Sequence, residues 1–180
     1  MKKISTLALM SLLGSFFAVA QAQTTRETGF YTELGAAQAY YRESAGNFNN
    51  TMGVFKAGYD INKYVAAEVM AAGNLNSANF YVGSTYVNAK ISSAYGGYGK
   101  FQLPVNEQFS FFVRLGVTSS TATYSTRWGS GWASGTDFSY GGGAQFNFTK
   151  NVYGQVDYMS YYNKNNVTAV APSISVGYKF

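Results

Sequence analysis

The side chains able to do chemistry are few in this chain of 180 residues. It has no His and no Cys, and 8 Asp plus Glu stand against 13 Lys plus Arg. Without His, the Ser–His and Cys–His nucleophiles and any imidazole general base are excluded. Without Cys as well, a zinc site of the usual nitrogen and sulfur donors cannot be built. What remains is a set of six charged residues placed inside runs of alternating hydrophobicity: Glu33, Lys56, Glu68, Lys100, Arg114 and Asp157. A carboxylate pair such as Glu33 and Asp157 has the groups for acid–base work. Three acids set against three bases also have the composition of a self-neutralising salt-bridge network, and the pattern favours that reading. Gly96-Gly-Tyr-Gly-Lys100 lacks the spacing and the following helix of a phosphate-binding loop. Arg127, Trp128 and Trp132 lie in a Gly/Ser-rich stretch. Their side chains suit stacking on a sugar or a partner's surface, and the plainer reading is anchoring at a membrane boundary, where indoles prefer to lie. No residue set points to a catalytic site, a metal site or a cofactor.

The elements that must position these residues follow from composition and period. Aromatic residues make up 18% of the chain and charged residues 12%, about half the usual ~25% charged. A disordered chain needs the opposite balance, and a disulfide scaffold needs Cys. Residues 1–22 are laid out as a secretory signal peptide: Lys2 and Lys3, an apolar run from Ile4 to Val19, then Ala20-Gln21-Ala22 as the cleavage pattern. The apolar run is too short for a spanning helix. Loss of Lys2 and Lys3 lowers the side-chain balance from +5 to +3, which is too thin a basic field for a nucleic-acid partner. Residues 23–180 are read as one domain.

That domain shows period two rather than 3.6, with Tyr, Phe and Val in quantity. Short turns fall at Asp60–Lys63, Pro104–Glu107 and Thr149–Asn151, with Asn62, Asn106 and Asn151 spaced by 44 and 45 residues. Polar stretches at Arg42–Asn50, Asn74–Tyr86, Ser125–Gly135 and Asn163–Thr168 read as long loops. Three turns and four loops connect eight strands. On one face the fifth strand carries Phe109, Phe111, Val113, Leu115 and Val117, and on the other Ser110, Phe112 and Arg114. The fourth places Ile91, Tyr95, Phe101 and Leu103 opposite Tyr98, Lys100 and Gln102. The seventh places Val156, Tyr158 and Tyr162 opposite Gln155, Asp157 and Met159. A soluble sandwich alternates too, with its apolar face inward. Here the charges sit mid-strand on the polar face, and aromatics gather near strand ends. Facing hydrocarbon, each mid-strand cation would cost about 2–4 kcal/mol. The expected fold is therefore all-β, an eight-stranded antiparallel up-and-down transmembrane β-barrel, closed because lipid cannot satisfy an open edge.

Three stretches resemble small outer-membrane β-barrels of Gram-negative bacteria, similar to the transmembrane domain of outer-membrane protein A. They are Phe109-Ser-Phe-Phe-Val-Arg-Leu-Gly116, the run from Tyr140-Gly-Gly-Gly-Ala-Gln145 to Val156-Asp-Tyr158, and Ile174-Ser-Val-Gly-Tyr-Lys-Phe180. The resemblance implies residence in the outer membrane and contact with its lipid and lipopolysaccharide. It also implies an assembly signal formed by Ile174, Val176, Tyr178 and Phe180, read by the barrel-assembly machinery. The peptidoglycan-binding domain of some relatives is not expected. Eight strands leave an interior filled by side chains. The expectation is a monomeric, non-enzymatic barrel with a plugged polar interior. Its role is structural or interaction-based, with a host-surface or phage ligand at the loops. A narrow small-solute channel gated by the charge network is the alternative.

Overall fold

A chain that alternates apolar and polar side chains can bury one face only as sheet. The computed structural model describes residues 28–43, 46–76, 78–82, 85–126, 129–164 and 167–180. Nine strands are present, and no helix among the described residues: β1 (Gly29–Glu43), β2 (Gly46–Asn62), β3 (Val65–Asn74), β4 (Ala78–Val82), β5 (Thr85–Pro104), β6 (Phe109–Thr126), β7 (Gly129–Asn147), β8 (Val152–Lys164) and β9 (Val167–Lys179). β3 and β4 lie end to end along β5, pairing with Ser93–Phe101 and with residues 85–89 respectively. The nine segments therefore make eight staves. β1 bonds β2 on one side and β9 on the other, and β3 bonds both β2 and β5. The antiparallel sheet closes on itself around the lower barrel, where every strand is bonded on both sides.

The two ends of the barrel differ. At one, the chain reverses through residues 63–64, 105–108 and 148–151. Each turn is held by one side-chain oxygen that accepts two backbone N–H groups. Asn62 Oδ1 takes Tyr64 and Val65 at 2.8 and 2.9 Å, and Asn106 Oδ1 takes Gln108 and Phe109 at 2.9 and 2.7 Å. Thr149 Oγ1 takes Asn151 and Val152 at 3.2 and 2.9 Å. Short polar side chains favour turns for this reason.

At the other end the expectation of long loops is corrected. Pairing reaches Glu43↔Gly46, Val82↔Thr85, Thr126↔Gly129 and Lys164↔Val167. The four polar stretches are mostly hairpin. Beyond the lipid both strand faces are wet, so no apolar alternation marks them as strand, yet the backbone ladder continues.

The outer wall is apolar, with Phe30, Leu34, Val69, Tyr95, Leu103, Phe111, Val113, Phe138, Tyr158 and Ile174 all exposed. Two residues depart from the predicted faces. Ile91 is buried inside the barrel because a bulge between Ile91 and Ser93 shifts the β5 register. Tyr162 lines the upper lumen because a bulge between Ser160 and Tyr162 does the same in β8. An inserted residue reverses the side-chain parity beyond it.

Candidate functional site

The inward faces of β1, β2, β3, β5, β6 and β8 bring Glu33, Lys56, Glu68, Lys100, Arg114 and Asp157 into one cluster, each buried. Arg114 is the hub. Its Nε donates to Glu68 Oε2 at 2.5 Å, Nη1 to Asp157 Oδ2 at 2.7 Å and Nη2 to Glu33 Oε2 at 3.2 Å. Lys56 Nζ bridges Glu33 and Asp157 at 3.3 and 3.1 Å. Lys100 Nζ lies 3.6 Å from Glu33 and 3.7 Å from Glu68. Glu33 and Asp157 thus share two cations and sit within a neutral set of three acids and three bases. Buried charges persist only when so paired and hydrogen-bonded.

A second ring of partners completes the cluster. Tyr31 Oη donates to Glu68 at 2.6 Å, and Tyr153 Oη to Glu33 at 3.0 Å. Lys100 donates to Gln145 and Gln155 at 3.3 and 3.1 Å, and sits 4.8 Å from the Phe112 ring centroid. Gln155 donates back to Glu33 at 3.1 Å, and Ser173 Oγ to Asp157 at 2.5 Å. Tyr31 and Tyr153 lie flat over glycines directly opposite them, Gly58 and Gly177, where a Cβ would enter the ring. Sequence reasoning did not place Tyr153, Gln145 or Gln155 in this cluster. The available signal was an inward Tyr or Gln on each strand that neighbours a charge.

Above the ionic cluster the lumen turns apolar. Ala39, Met52, Met70, Ala72, Ile91 and Ala171 form a buried cluster there. They line a cavity of about 40 Å³, and a more open cavity of about 150 Å³ adjoins it toward the hairpin end, sharing Ile91, Ser120 and Ala169. The expectation of a polar interior therefore holds for one half of the barrel only. At this level β7 and β8 part. Their backbone pairing ends at Tyr140↔Ser160, although both strands continue. Side chains clasp the gap instead. Lys164 Nζ meets Asp137 Oδ1 at 2.6 Å, Asn163 N–H donates to Asp137 Oδ2 at 3.0 Å, and Ser139 Oγ donates to the Tyr161 carbonyl at 3.2 Å. Asp137 lies beyond the last lipid-facing ring of β7, Phe138. The Lys164 ammonium and the Asn163 N–H hold its carboxyl below the usual carboxylate range.

The remaining predicted residues are placed apart from the ionic cluster. Trp132 sits near the tip of the β6–β7 hairpin and is 71% exposed. Arg127, Trp128 and the signal-peptide segment 1–22 lie outside the described residues. Ile174, Val176 and Phe180 are exposed on the outer wall of the last strand, with Tyr178 half-buried on the same face. The Phe180 N–H donates to the Phe30 carbonyl at 2.9 Å. Among the described residues no group of His, Cys, Asp or Glu is arranged to hold a metal ion.

A closed antiparallel barrel with an apolar outer wall and a neutralised ionic core is an integral membrane β-barrel. Within that class, the chain belongs to the outer membrane protein beta-barrel domain family, whose profile matches residues 8–180. It is an outer-membrane protein of the Gram-negative envelope. Solved structures with the same fold include Ail, the attachment invasion locus protein of Yersinia pestis, in complex with the heparin analogue sucrose octasulfate. It is 22% identical, with 86% of this chain and 100% of that chain covered and a TM-score of 0.66. Neisserial surface protein A is 20% identical over 86% and 100% of the two chains, with a TM-score of 0.66. The outer membrane protein OprG from Pseudomonas aeruginosa is 10% identical over 86% and 97%, with a TM-score of 0.58. No curated protein matches the chain.

Proposed function

We propose that the protein is a non-enzymatic surface scaffold. In this reading the ionic cluster seals the lumen, and the hairpins standing above the bilayer carry the contact residues. The observation that carries it is the unbroken β6–β7 ladder to Thr126↔Gly129, which carries the exposed Trp132 six residues past Phe138, the last aromatic of the β7 outer wall. A large apolar side chain held exposed on a rigid arm is a contact group rather than a core group. Arg127 and Trp128 follow Thr126 in sequence, and a cationic and a second aromatic side chain beside Trp132 would suit a sugar or anionic glycan. The partner is a ligand on a host cell or a phage, and a sulfated glycan is the first candidate, since the same fold in Ail takes a heparin analogue. Residues 1–22 act as a cleaved signal peptide. The last strand, with Ile174, Val176, Tyr178 and Phe180 on its outer wall, is the signal for the barrel-assembly machinery. The barrel works as a monomer among lipid and lipopolysaccharide.

The test is binding of the bilayer-embedded protein to immobilised heparin and to host-cell surfaces, with Trp128→Ala and Trp132→Ala compared with the parent. A loss of at least tenfold in either variant supports the assignment; unchanged binding removes it. The sealed lumen has its own test in planar bilayers. Silence is expected. Reproducible conductance steps altered by Arg114→Ala or Glu68→Ala would establish the narrow channel instead.

A further inference from the structure

We infer that the extracellular half of the lumen is a binding site for the end of one alkyl chain, taken sideways from the outer leaflet through the gap between β7 and β8. Three observations carry this. First, the lining is apolar and small. Ala39, Met52, Met70, Ala72, Ile91 and Ala171 leave open volume where larger side chains would have filled the barrel. Interiors are normally close-packed, and a space of about 150 Å³ has room for about six carbons; here it is lined by Ile91, Ala122, Ala133, Val167 and Ala169, with Ser120, Ser134 and Tyr162 at its polar edge. The inner cavity of about 40 Å³ adjoins one of about 150 Å³, a narrow blind end behind a wider mouth, which suits a tapering chain better than a ring.

Second, the ionic cluster closes the site from below. Met70 and Val54 stand one inward position from Glu68 and Lys56, so an occupant cannot pass through.

Third, the wall is open where a chain would enter. Above Tyr140↔Ser160 the β7–β8 ladder stops, and Ser134 and Gly135 of β7 face Tyr162 of β8 across the mouth. Tyr140 and Tyr158, at the foot of the gap, are exposed on the outer wall, which sets the opening at the top of the lipid-facing band. Side chains span it higher up: Ser139 Oγ on the Tyr161 carbonyl, the Tyr162 ring against Gly135, and Asp137 on Lys164 and Asn163, and side-chain contacts open more readily than a backbone ladder. This site is independent of the hairpin contact surface and needs only the closed barrel.

Met52, Met70 and Met159 are the methionines of residues 23–180, and all three belong to the apolar cluster. Methyl-labelled methionine therefore reports the site directly by NMR of the full barrel in nanodiscs. With protonated phospholipid, nuclear Overhauser contacts between acyl methylenes and the Met52 and Met70 methyls are expected. With deuterated phospholipid and added 1-octanol, saturable shifts of the same methyls would identify a free alkyl molecule as the occupant. The Ala94→Leu variant, which fills the cavity, should weaken either signal at least tenfold. Ala39→Leu serves if the first variant does not fold. Asp137→Asn should speed exchange of the occupant several-fold. Met52 and Met70 methyls that meet neither acyl chain nor octanol overturn the proposal. So does a folded, filled variant that retains the contacts. Exchange unaffected by Asp137→Asn overturns the sideways entry.

Discussion

Replacing Arg114 by Met removes the one side chain that touches all three carboxylates of the ionic cluster. The perturbation leaves Glu33, Glu68 and Asp157 facing only Lys56 and Lys100, a net charge of −1 in a space with little water. Glu68 suffers most. It loses the contacts at 2.5 and 3.2 Å and keeps Lys100 at 3.7 Å and the Tyr31 hydroxyl at 2.6 Å. Orphaning one member of a buried ionic group typically costs about 3–5 kcal/mol. With a urea slope of about 1–3 kcal/mol per molar, the unfolding midpoint should fall by about 2 M. The assay is urea unfolding of the barrel in phospholipid vesicles, read by the shift between compact and unfolded forms on a gel. The companion is Arg114→Met with Glu68→Gln, which restores neutrality with two acids and two lysines. It should recover much of the loss, giving a coupling of about 2 kcal/mol or more. A midpoint shift under ~0.5 M for Arg114→Met, or a double variant as unstable as the two single losses added, would refute the view that these six groups act as one neutral unit.

Four further outcomes follow from the same structure. Gly177→Ala should displace the Tyr153 ring and break its bond to Glu33, at about 1–3 kcal/mol for overpacking and more for the lost charged hydrogen bond. Gly73→Ala, where nothing lies within 4 Å of an added Cβ, should be nearly silent in the same unfolding assay. The Asp137 carboxyl is held below its unfolded value near ~3.9, so its clasp is fully present above that pH and is lost as pH falls through the lower folded value. Hydrogen exchange of the Asn163 amide should be steady at neutral pH. On acidification it should lose protection before the ladder amides of residues 141–146, and Asp137→Asn should remove that dependence. Deleting Phe180, which bonds the Phe30 carbonyl at 2.9 Å, should lower the amount of heat-modifiable barrel in the outer-membrane fraction several-fold; an unchanged amount would count against a role for the last strand in assembly.

What the sequence made legible was the wall. A period of two is a direct consequence of the pleat, so Phe111, Val113 and Leu115 could be set against Ser110 and Arg114 without coordinates. The six mid-strand charges share one face for the same reason. Parity fails where a residue is inserted, and Ile91 and Tyr162 sit beside such insertions. The hairpin arms were hidden because Ser, Thr, Asn and Gly on two wet faces look like loop although they keep the ladder. The apolar upper lumen was hidden for a different reason. Alanines on an inward face, such as Ala39, Ala94 and Ala171, are indistinguishable in sequence from alanines on an outward one. The Asp137–Lys164 clasp joins side chains whose meeting depends on where β7 and β8 stop pairing, and composition does not record that.

The most direct measurement exploits a chain without Cys. Single cysteines at Val113, Leu115 and Val117 and, on the other parity, at Thr118 and Ser139 can carry nitroxide labels in a bilayer. Spin relaxation by dissolved oxygen, which concentrates in hydrocarbon, then reads which way each side chain points. Strong relaxation at 113, 115 and 117 with weak relaxation at 118 and 139 is the predicted result. The reverse alternation, with labels at 113 and 115 shielded between packed layers and those at 118 and 139 in contact with lipid, would contradict the outward-facing apolar wall on which the barrel, its membrane and its ionic core all depend.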